Sequence, residues 1–459
     1  MVRIERAPYH RAIQSMVQWA SPHWPKAVLH SSGTLSPWSR WSYVAGPARL
    51  ALRCNTTTLV TTLRGQGGVR RSWRDPREAL LWLGGQASSP AVDGPPFKGG
   101  WVGWIGYDAG RLFEKLPARL TDPLGLPLFE FTFHTEVFAV DHVEQQAWRV
   151  ETDDPFDAPP MREGEAGRPH QARNSTGSVP HDFARTFTRP AYESAVARAV
   201  EYIRAGDVFQ VNLSQRFSVP GFLQPLDLYG SSLTSTNAWF GAFLGHPDYA
   251  LMSLSPELFL RVAPDPVAGE RRVITRPIKG TRPAVAGMAD ALLDSAKDAA
   301  ELNMIVDLER NDLGRVCRTG TVKVVEPRHV ERHPTVYHGV AGVEGLLRDD
   351  VTLPDLLRAT FPGGSVTGAP KIRAMEIIEE LEPVRRGPYC GSIGYLSIDG
   401  HMQFSVAIRT MIGRDGIVHV PVGGGVVADS QPAAEYEETL VKARAMLTAL
   451  GIPERKWPT

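Results

Sequence analysis

The sequence has few cysteines and no net charge. The chain of 459 residues contains three cysteines, Cys54, Cys317 and Cys390, and they lie far apart. Their spacing excludes a disulfide framework and a zinc-binding pattern, which indicates a reducing compartment. Lys and Arg number 50 and Asp and Glu number 50, so no bulk charge attracts nucleic acid or an anionic membrane.

Long apolar runs are also absent from the sequence. No run approaches the roughly 18 residues of a membrane span, and the N-terminal residues are too polar for a signal peptide. Hydrophobic residues make up 42% of the chain, which is enough for a large core. The sequence therefore predicts a soluble, cytoplasmic protein.

Composition divides the chain into three parts. Residues 1–150 contain short apolar runs bounded by Gly, Pro and Asn, which predict an N-terminal β-rich lobe. Residues 151–187 are rich in Asp, Pro, Gly, Ser and Arg and predict a linker or mobile insertion. Strand-like runs and amphipathic stretches in residues 188–459 predict a large antiparallel sheet with helices on its faces.

Two predicted helices carry pairs of acidic residues. Asp298 and Glu301 are three residues apart, and Glu435 and Glu438 repeat this spacing, so each pair shares one helix face. Like charges at this spacing repel each other, and a set of oxygen ligands suits Mg²⁺. The alternative is two solvated helix faces, which the spacing alone favours.

Lys279 lies at a turn bounded by proline and glycine, where a lysine is ordinarily a solvated charge. Two glycine clusters, at 363–368 and 423–425, would let backbone N–H groups approach an anion closely. Glu257 stands at a turn that enters a strand, and His338 is a titratable group of the right type for proton transfer. Taken singly, Glu257 and His338 fit a structural role better than a catalytic one.

Together these stretches resemble one family, the chorismate-utilising enzymes. The resemblance is dense from residue 189 to the C-terminus and looser over the N-terminal lobe, through residues 99–113. It rests on long, ordered motifs at 207–217, 254–257, 276–281, 304–315, 363–371, 390–395, 407–410 and 423–430. It implies an α+β fold in which large antiparallel β-sheets pack face to face, with helices on the outer faces.

Two positions distinguish members of this family. Isochorismate and salicylate synthases carry a lysine at the position of Gln210, resembling a general base for water, and a glutamine cannot take that proton. Anthranilate synthases carry alanine at the position of Lys279, whereas aminodeoxychorismate synthases use a lysine there as a nucleophile. The resemblance therefore implies the aminodeoxychorismate synthase branch, component I, which makes 4-amino-4-deoxychorismate for 4-aminobenzoate and folate synthesis.

The resemblance also implies roles for individual residues. Lys279 would add to C2 of chorismate, Glu257 would protonate the leaving C4 hydroxyl, and His338 would be a further catalytic residue. A Mg²⁺ ion would be held by four carboxylates, namely Glu301 and Glu438 with Asp298 and Glu435 in support. The substrate would be bound by Gly280, Thr281, Thr367, Tyr395, Arg409, Gly423, Gly424, Gly425 and Lys442.

Two further ligands follow from the resemblance. Ser31, Ser39, Arg40 and Trp41 resemble the tryptophan pocket of the family, with ordinary loop packing as the alternative, and the indole of Trp41 would crowd a bound tryptophan. None of the cysteines has the glycine-rich context of a glutaminase nucleophile, so a separate glutamine amidotransferase would supply ammonia. The alternative functions are anthranilate synthase component I and a non-catalytic regulatory homologue that binds chorismate or tryptophan.

Overall fold

The computed structural model describes residues 2–9, 26–87, 93–161, 184–220, 224–236, 238–265, 269–333, 336–454 and 457. Most of the predicted linker, residues 162–183, lies outside these ranges. The strands of the first half of the chain are β1 (Val2–Ala7), β2 (Lys26–His30), β3 (Trp41–Ala45), β4 (Ala48–Cys54), β5 (Thr61–Gly65), β6 (Gly68–Trp73), β7 (Gly100–Ile105), β8 (Phe129–His134), β9 (Glu136–Asp141), β10 (Gln146–Thr152), β11 (Ala184–Arg185) and β12 (Gln210–Pro220).

The strands of the second half are β13 (Phe240–Gly245), β14 (Ala250–Ser255), β15 (Leu258–Pro264), β16 (Arg271–Arg276), β17 (Ile278–Pro283), β18 (Lys323–Arg332), β19 (Val336–Leu346), β20 (Gly368–Ala369), β21 (Ser392–Ser397), β22 (Met402–Val406), β23 (Thr410–Arg414) and β24 (Ile417–Val426). The helices are α1 (Pro76–Gly84), α2 (Arg189–Arg204), α3 (Pro225–Ser235), α4 (Met288–Leu293), α5 (Ala296–Gly314), α6 (Leu353–Thr360), α7 (Lys371–Leu381) and α8 (Pro432–Ala449).

The described strands form two 12-stranded sheets. The first has the order β1-β10-β9-β3-β2-β13-β14-β23-β24-β12-β11, with β20 paired to β12. The second has the order β17-β19-β16-β15-β22-β21-β7-β8-β4-β5-β6, with β18 paired to β19. Both sheets therefore combine strands from residues before 153 with strands from residues after 183, so the two predicted lobes share both sheets.

The sheets pack on each other through large side chains. The ring of Tyr43, on β3 of the first sheet, lies 5.7 Å from that of Tyr395, on β21 of the second sheet. Trp104, on β7 of the second sheet, donates its indole N–H to the hydroxyl of Tyr249, just before β14 of the first. Helices α2, α7 and α8 lie against the first sheet, and α4 and α5 against the second. The expected α+β fold with stacked antiparallel sheets is confirmed.

Local residues define the start of helix α2. The Thr188 hydroxyl accepts a hydrogen bond from the Ala191 N–H at 3.3 Å, and Pro190 occupies the first turn, where its missing N–H costs no helical bond. Tyr192, Val196 and Val200 form its buried face.

None of the described helices combines the length and the apolar composition that a membrane span requires.

A buried ion pair ties the segment before β7 to the β21–β22 turn. Lys98 Nζ lies 2.8 Å from Asp399 Oδ2, and both side chains are almost fully buried. Burial by itself raises the pKa of Asp399, but hydrogen bonds and the charges of His401 and Lys98 outweigh it and lower the pKa to about 2. The two segments are about 300 residues apart in the sequence, so this pair joins distant parts of the chain at neighbouring strands of the second sheet.

We expect Asp399→Ala to lower the free energy of unfolding by about 3–5 kcal/mol, because the Lys98 ammonium would stay buried without its carboxylate. The double variant Lys98→Met/Asp399→Leu should recover much of this loss. Urea unfolding followed by circular dichroism measures both. Asp349→Ala, which removes an exposed partner of Arg318, is the control and should change stability by less than about 0.5 kcal/mol. An Asp399→Ala variant as stable as the wild type would contradict the stabilising role of the Lys98–Asp399 ion pair.

Candidate active site

Lys279 lies where the two sheets meet. It is on β17, the edge strand of the second sheet, and its Nζ donates a hydrogen bond of 3.2 Å to the carbonyl of Ser365, in the loop after α6. A bulge follows, because the pairing of β17 with β19 shifts register between Lys279 and Thr281. Gly280 has a φ of 77°, and a Cβ there would lie 2.9 Å from Asp298 Oδ1. The glycine therefore lets the strand approach α5 closely.

The Lys279 amine is surrounded in a way that favours its neutral form. Burial lowers the pKa of Lys279 below its usual value, and the charge of Lys442 acts in the same direction. The carboxylates of Glu301, Glu257 and Glu438 oppose this shift without reversing it. A lysine with a lowered pKa has a larger fraction of neutral amine, which is the nucleophilic form.

Glu257 is a buried carboxyl next to this lysine. Burial raises the pKa of Glu257 to about 7, against the opposing influence of the Ser365 hydroxyl and the charges of Lys279 and Arg409. Its backbone N–H donates to the Ser255 hydroxyl at 3.2 Å, which in turn donates to the carbonyl of Val406. A carboxyl with this pKa is partly protonated near neutrality and can therefore act as a general acid.

Arg409 and His338 complete this side of the site. Arg409 has a φ of 50°, a left-handed conformation that is uncommon for a residue with a side chain. Burial and the charge of Arg409 lower the pKa of His338 well below its usual value, so the imidazole is neutral. His338 Nδ1 is 2.9 Å from the Thr281 hydroxyl, and its Nε2 has no hydrogen-bond partner among the described residues.

The carboxylates of α5 have separate partners. The Ser295 hydroxyl caps the helix by accepting from the Asp298 N–H, and Asp298 Oδ2 accepts a 2.6 Å hydrogen bond from Arg282. Glu301 lies 3.9 Å from Lys297 Nζ. Burial raises the pKa of Glu301, and the charges of Asp298 and Glu438 add to this rise.

The carboxylates of α8 face Gly424 of β24. Glu435 Oε1 accepts a 2.6 Å hydrogen bond from Ser430, while its buried Oε2 has no partner in the described chain. Glu438 lies 2.7 Å from Lys442 Nζ. A Cβ on Gly424 would lie 3.2 Å from Glu435 Oε2 and 3.8 Å from Glu438 Oε1, so the glycine backbone borders the carboxylates directly.

These carboxylates fit a divalent cation by their chemistry. The donors are all oxygens, one buried oxygen of Glu435 is unpaired, and the charge of Glu438 disfavours ionisation of both Glu301 and Glu435. No three of the four bring oxygens within 4.8 Å of one another; among the described residues only Glu326, His329 and Glu331 do so. The Mg²⁺ assignment therefore stays a prediction.

Several predicted substrate-binding residues lie together. Lys442 Nζ donates to the carbonyl of Gly423 at 3.0 Å, which joins α8 to the glycine run of β24. A Cβ on Gly425 would lie 3.4 Å from Lys279 Nζ, so this glycine is next to the lysine. The Thr367 hydroxyl, by contrast, already donates to the carbonyl of Gly363 at 2.9 Å and holds its own loop together.

Tyr395 does not lie with the predicted substrate-binding residues around Lys279. Its ring packs 4.8 Å from that of Phe97 and lines a cavity with Ser31 and Trp41. The side chain points into the layer between the sheets, because side chains alternate between the two faces of β21. The predicted role of Tyr395 as a substrate contact is therefore corrected, because this residue belongs to the core between the sheets.

The predicted tryptophan-binding residues are divided. Ser31 and Trp41 line the cavity of Tyr395, whose volume of about 20 Å³ accommodates roughly one water molecule. Ser39 lies in a neighbouring recess of about 190 Å³ that Ser31 also borders. Arg40 instead pairs with Asp141 at 2.6 Å. The structure therefore does not gather these four residues around one space, and the tryptophan pocket stays a prediction.

The sequence reasoning missed a second buried carboxyl. Glu309 of α5 accepts a 2.9 Å hydrogen bond from the Thr275 hydroxyl, and burial, with the charges of Glu257 and Asp312, raises its pKa to about 8. A signal was present in the sequence. Glu309 continues the helical spacing of the apolar residues Leu302 and Ile305, so an acidic residue there falls on the buried face.

The comparisons with known proteins identify the class. Residues 57–448 match the family of chorismate binding enzymes, and the chain belongs to this family. It is similar to anthranilate synthase component 1 of Thermus thermophilus, with 42% identity over 447 residues that cover 94% of this chain and 93% of the relative. The resemblance to the chorismate-utilising enzymes is confirmed, and the protein is a chorismate-utilising enzyme.

Other relatives extend this result. The chain is 37% identical over 457 residues to aminodeoxychorismate synthase component 1 of Escherichia coli, covering 98% of this chain and 97% of the relative. The crystal structure of anthranilate synthase component I from Streptococcus pneumoniae superimposes with a TM-score of 0.74 at 30% identity, covering 96% of this chain and 99% of that one. The two relatives are named as synthases of different products, and their sequence identities to this chain are similar. The identities therefore do not determine which reaction this protein catalyses.

We expect Glu309→Gln to stabilise the protein at high pH. The pKa of Glu309 is about 8 in the folded chain against 4.5 for the free group, so its stabilising contribution is complete below about pH 4.5 and is lost as pH rises towards 8, by up to about 1.4 kcal/mol per pH unit. The variant cannot ionise and should exceed the wild type in melting temperature at pH 8.5, but not at pH 4.5.

The groups that face Glu309 are Glu257, Asp312 and Lys371, and all three are kept in this variant. Asp307→Asn, on the exposed face of the same helix, is the matched control and should show no pH-dependent difference. Thermal unfolding between pH 4.5 and 8.5 measures the effect. Equal melting temperatures of the wild type and Glu309→Gln at pH 8.5 would contradict the prediction, because they would mean that ionisation of Glu309 does not destabilise the fold.

Proposed function

We propose that this protein is component I of an aminodeoxychorismate synthase, which converts chorismate and ammonia to 4-amino-4-deoxychorismate through a covalent lysine adduct. The observation that carries the proposal is the environment of the Lys279 amine. Its amine is buried beside the carboxylate cluster, its pKa is lowered, and its Nζ lies 3.2 Å from the Ser365 carbonyl, which orients it. A lowered pKa increases the fraction of neutral amine, which is the nucleophilic form of a lysine.

The reaction would proceed in two displacements. Lys279 Nζ forms a bond to C2 of chorismate, both conjugated ring double bonds shift by one position towards C4, and the C4–O bond breaks. Glu257, about half protonated near pH 7, gives its proton to the departing hydroxyl, which leaves as water. Ammonia then forms a bond to C4, both double bonds shift back, and the C2–Nζ bond breaks with its electron pair returning to Lys279. The enolpyruvyl group is retained.

The remaining residues would bind and orient the substrate. The neutral His338, held by Thr281, would offer its unpaired Nε2 to a hydrogen-bonding group of the substrate. Arg409 carries the charge for the enolpyruvyl carboxylate, with help from the backbone of the glycine run 423–425. Glu301 and Glu438, with Asp298 and Glu435 in support, would hold Mg²⁺, which neutralises the ring carboxylate when bound.

A separate glutamine amidotransferase subunit would supply the ammonia in the cytoplasm. The product would serve 4-aminobenzoate and folate synthesis after removal of pyruvate by another protein. A second candidate is anthranilate synthase component I, which the 42% identity to the Thermus thermophilus relative favours. The two functions make different products from the same chorismate, Mg²⁺ and ammonium salt, so chromatography of the product separates them.

We expect Lys279→Ala to lower the formation of 4-amino-4-deoxychorismate at least about 100-fold, because the covalent route is removed. Liquid chromatography of the products measures this, and intact-protein mass spectrometry should show an adduct only in the wild type. Lys323→Ala, which changes an exposed lysine of β18, is the control and should keep full activity. An unchanged rate in Lys279→Ala would refute the nucleophilic role, and anthranilate from the wild type would refute the proposed reaction.

Glu257 should determine the alkaline limb of the pH–rate profile. Because the acid must be protonated and its pKa is about 7, kcat should fall about tenfold per pH unit above that value. Glu257→Gln should lower kcat by about 100-fold or more and remove this limb. Asp307→Asn, distant from the lysine on the exposed face of α5, should keep the wild-type profile. A rate that stays constant from pH 7 to 9 in the wild type would exclude Glu257 as the acid.

A further inference from the structure

Three side chains of strand β18 line an open recess. The recess has a volume of about 580 Å³, and Glu326, His329 and Glu331 form part of its wall together with Trp38 and Arg276. Each of the three offers one ligand atom, and these three atoms lie within 4.8 Å of one another. They belong neither to the groups around the lysine of the candidate active site nor to the carboxylates assigned to Mg²⁺.

A β-bulge brings the three side chains to one face. His329 and Glu331 are two residues apart and therefore point to the same side of the strand. Glu326 is three residues before His329, which in a regular strand would place it on the opposite side. The register of β18 against β19 shifts here, because the steps from Glu326 to His329 match the shorter stretch from Gly342 to Val340. The extra residue turns Glu326 back to the face of the other two.

The imidazole of His329 presents a lone pair to this face. Its Nδ1 lies 2.9 Å from the carbonyl oxygen of Pro327, which can only accept, so Nδ1 carries a hydrogen and donates it. In the neutral ring Nε2 is then an acceptor, and it lies 3.3 Å from Glu331 Oε1, another acceptor. Two acceptors at this distance repel each other unless a proton or a metal cation lies between them. An Nδ1–H held by a backbone carbonyl also fixes the tautomer in which Nε2 can bind a metal.

The distances fit a zinc ion. Imidazole nitrogen and carboxylate oxygen bind Zn²⁺ at about 2.0–2.2 Å in tetrahedral geometry, which places two ligand atoms about 3.3–3.5 Å apart. The separation of His329 Nε2 and Glu331 Oε1 is 3.3 Å. Glu331 Oε2 is buried and has no partner in the part of the chain that the structure describes, so this carboxylate has an oxygen to offer to an ion. Three protein ligands leave a fourth position, on the side of the recess, for water.

Arg276 orients the two carboxylates without neutralising both. Its guanidinium is 3% exposed and donates to Glu326 Oε2 at 2.8 Å and to Glu331 Oε1 at 2.5 Å. One positive charge between two carboxylates leaves an excess negative charge, which favours a cation. The other arginine of the recess, Arg328, donates instead to the carbonyls at the end of helix α4.

We propose that Glu326, His329 and Glu331 form a binding site for a divalent transition-metal ion, and that Zn²⁺ is the ion that this donor set fits. The imidazole nitrogen disfavours Mg²⁺ and Ca²⁺, which prefer oxygen ligands alone. An ion at this site joins the two sides of the bulge and, through Arg276, holds the end of β16. The site is separate from the predicted Mg²⁺ site and does not depend on the proposed amination of chorismate.

The test is a calorimetric titration of the untagged protein with Zn²⁺ in excess Mg²⁺, which occupies sites made of oxygen ligands alone. His329 is 41% exposed, so His329→Ala should fold. We expect this variant to bind one Zn²⁺ fewer per chain or to bind it at least about tenfold more weakly, because even the loss of a group outside the coordination shell has an effect of that size. Zn²⁺ should raise the melting temperature of the wild type more than that of the variant, since the ion binds the folded chain.

His401→Ala is the matched control. His401 Nδ1 also lies 3.1 Å from a carboxylate oxygen, Asp399 Oδ1, but no group of three ligands among the described residues includes it. This variant should bind Zn²⁺ as the wild type does. Glu326→Gln keeps an oxygen that accepts from Arg276 while it removes the negative charge, and it should weaken Zn²⁺ binding as His329→Ala does.

Equal numbers of bound Zn²⁺ and equal affinities in the wild type and His329→Ala would overturn the proposal, because a proton and not a metal would then lie between His329 and Glu331. An equal loss in His401→Ala would also overturn it, because Zn²⁺ would then bind to histidines without selecting this group. The titration measures binding and not turnover, so its failure leaves the proposed function untouched, and an inactive enzyme leaves the metal site untouched.

Discussion

The burial of one amine beside several carboxyl groups is the constraint on which the site depends. Lys279 loses hydration between the two sheets, and this desolvation lowers its pKa. The negative charges of Glu257, Glu301 and Glu438 favour the protonated amine but do not reverse the shift. The same burial raises the pKa of Glu257 to about 7. Desolvation therefore shifts the lysine towards its neutral, nucleophilic form and the glutamate towards its protonated form.

The two sheets supply different parts of this site. The second sheet contributes Lys279 on its edge strand β17, and the first contributes the glycine run on β24. Backbone atoms do much of the shaping, because Gly280, Gly424 and Gly425 each border a functional side chain closely. Since both sheets draw strands from both halves of the chain, the site depends on the whole fold and not on one lobe.

The sequence predicted the elements better than it predicted their relations. The helices that carry the acidic pairs follow from local patterns and are confirmed. The predicted turn at Lys279 is wrong, because Lys279 lies within strand β17 and is followed there by a bulge. Glu309 was missed because a single acidic residue on an apolar stripe is easily read as a solvated position. Tyr395 was misplaced because a motif does not say which face of a strand meets the substrate.

The sequence by itself determined the family, the antiparallel architecture and the residue types available for chemistry, because motifs, caps and periodicity are local. Only the tertiary structure decided which of these groups share an environment. The lowered pKa of Lys279 arises from desolvation and from contacts between residues far apart in the chain. The sequence pattern alone assigns Lys279 to solvent, but the fold partly buries this lysine and the groups packed around its amine lower its pKa.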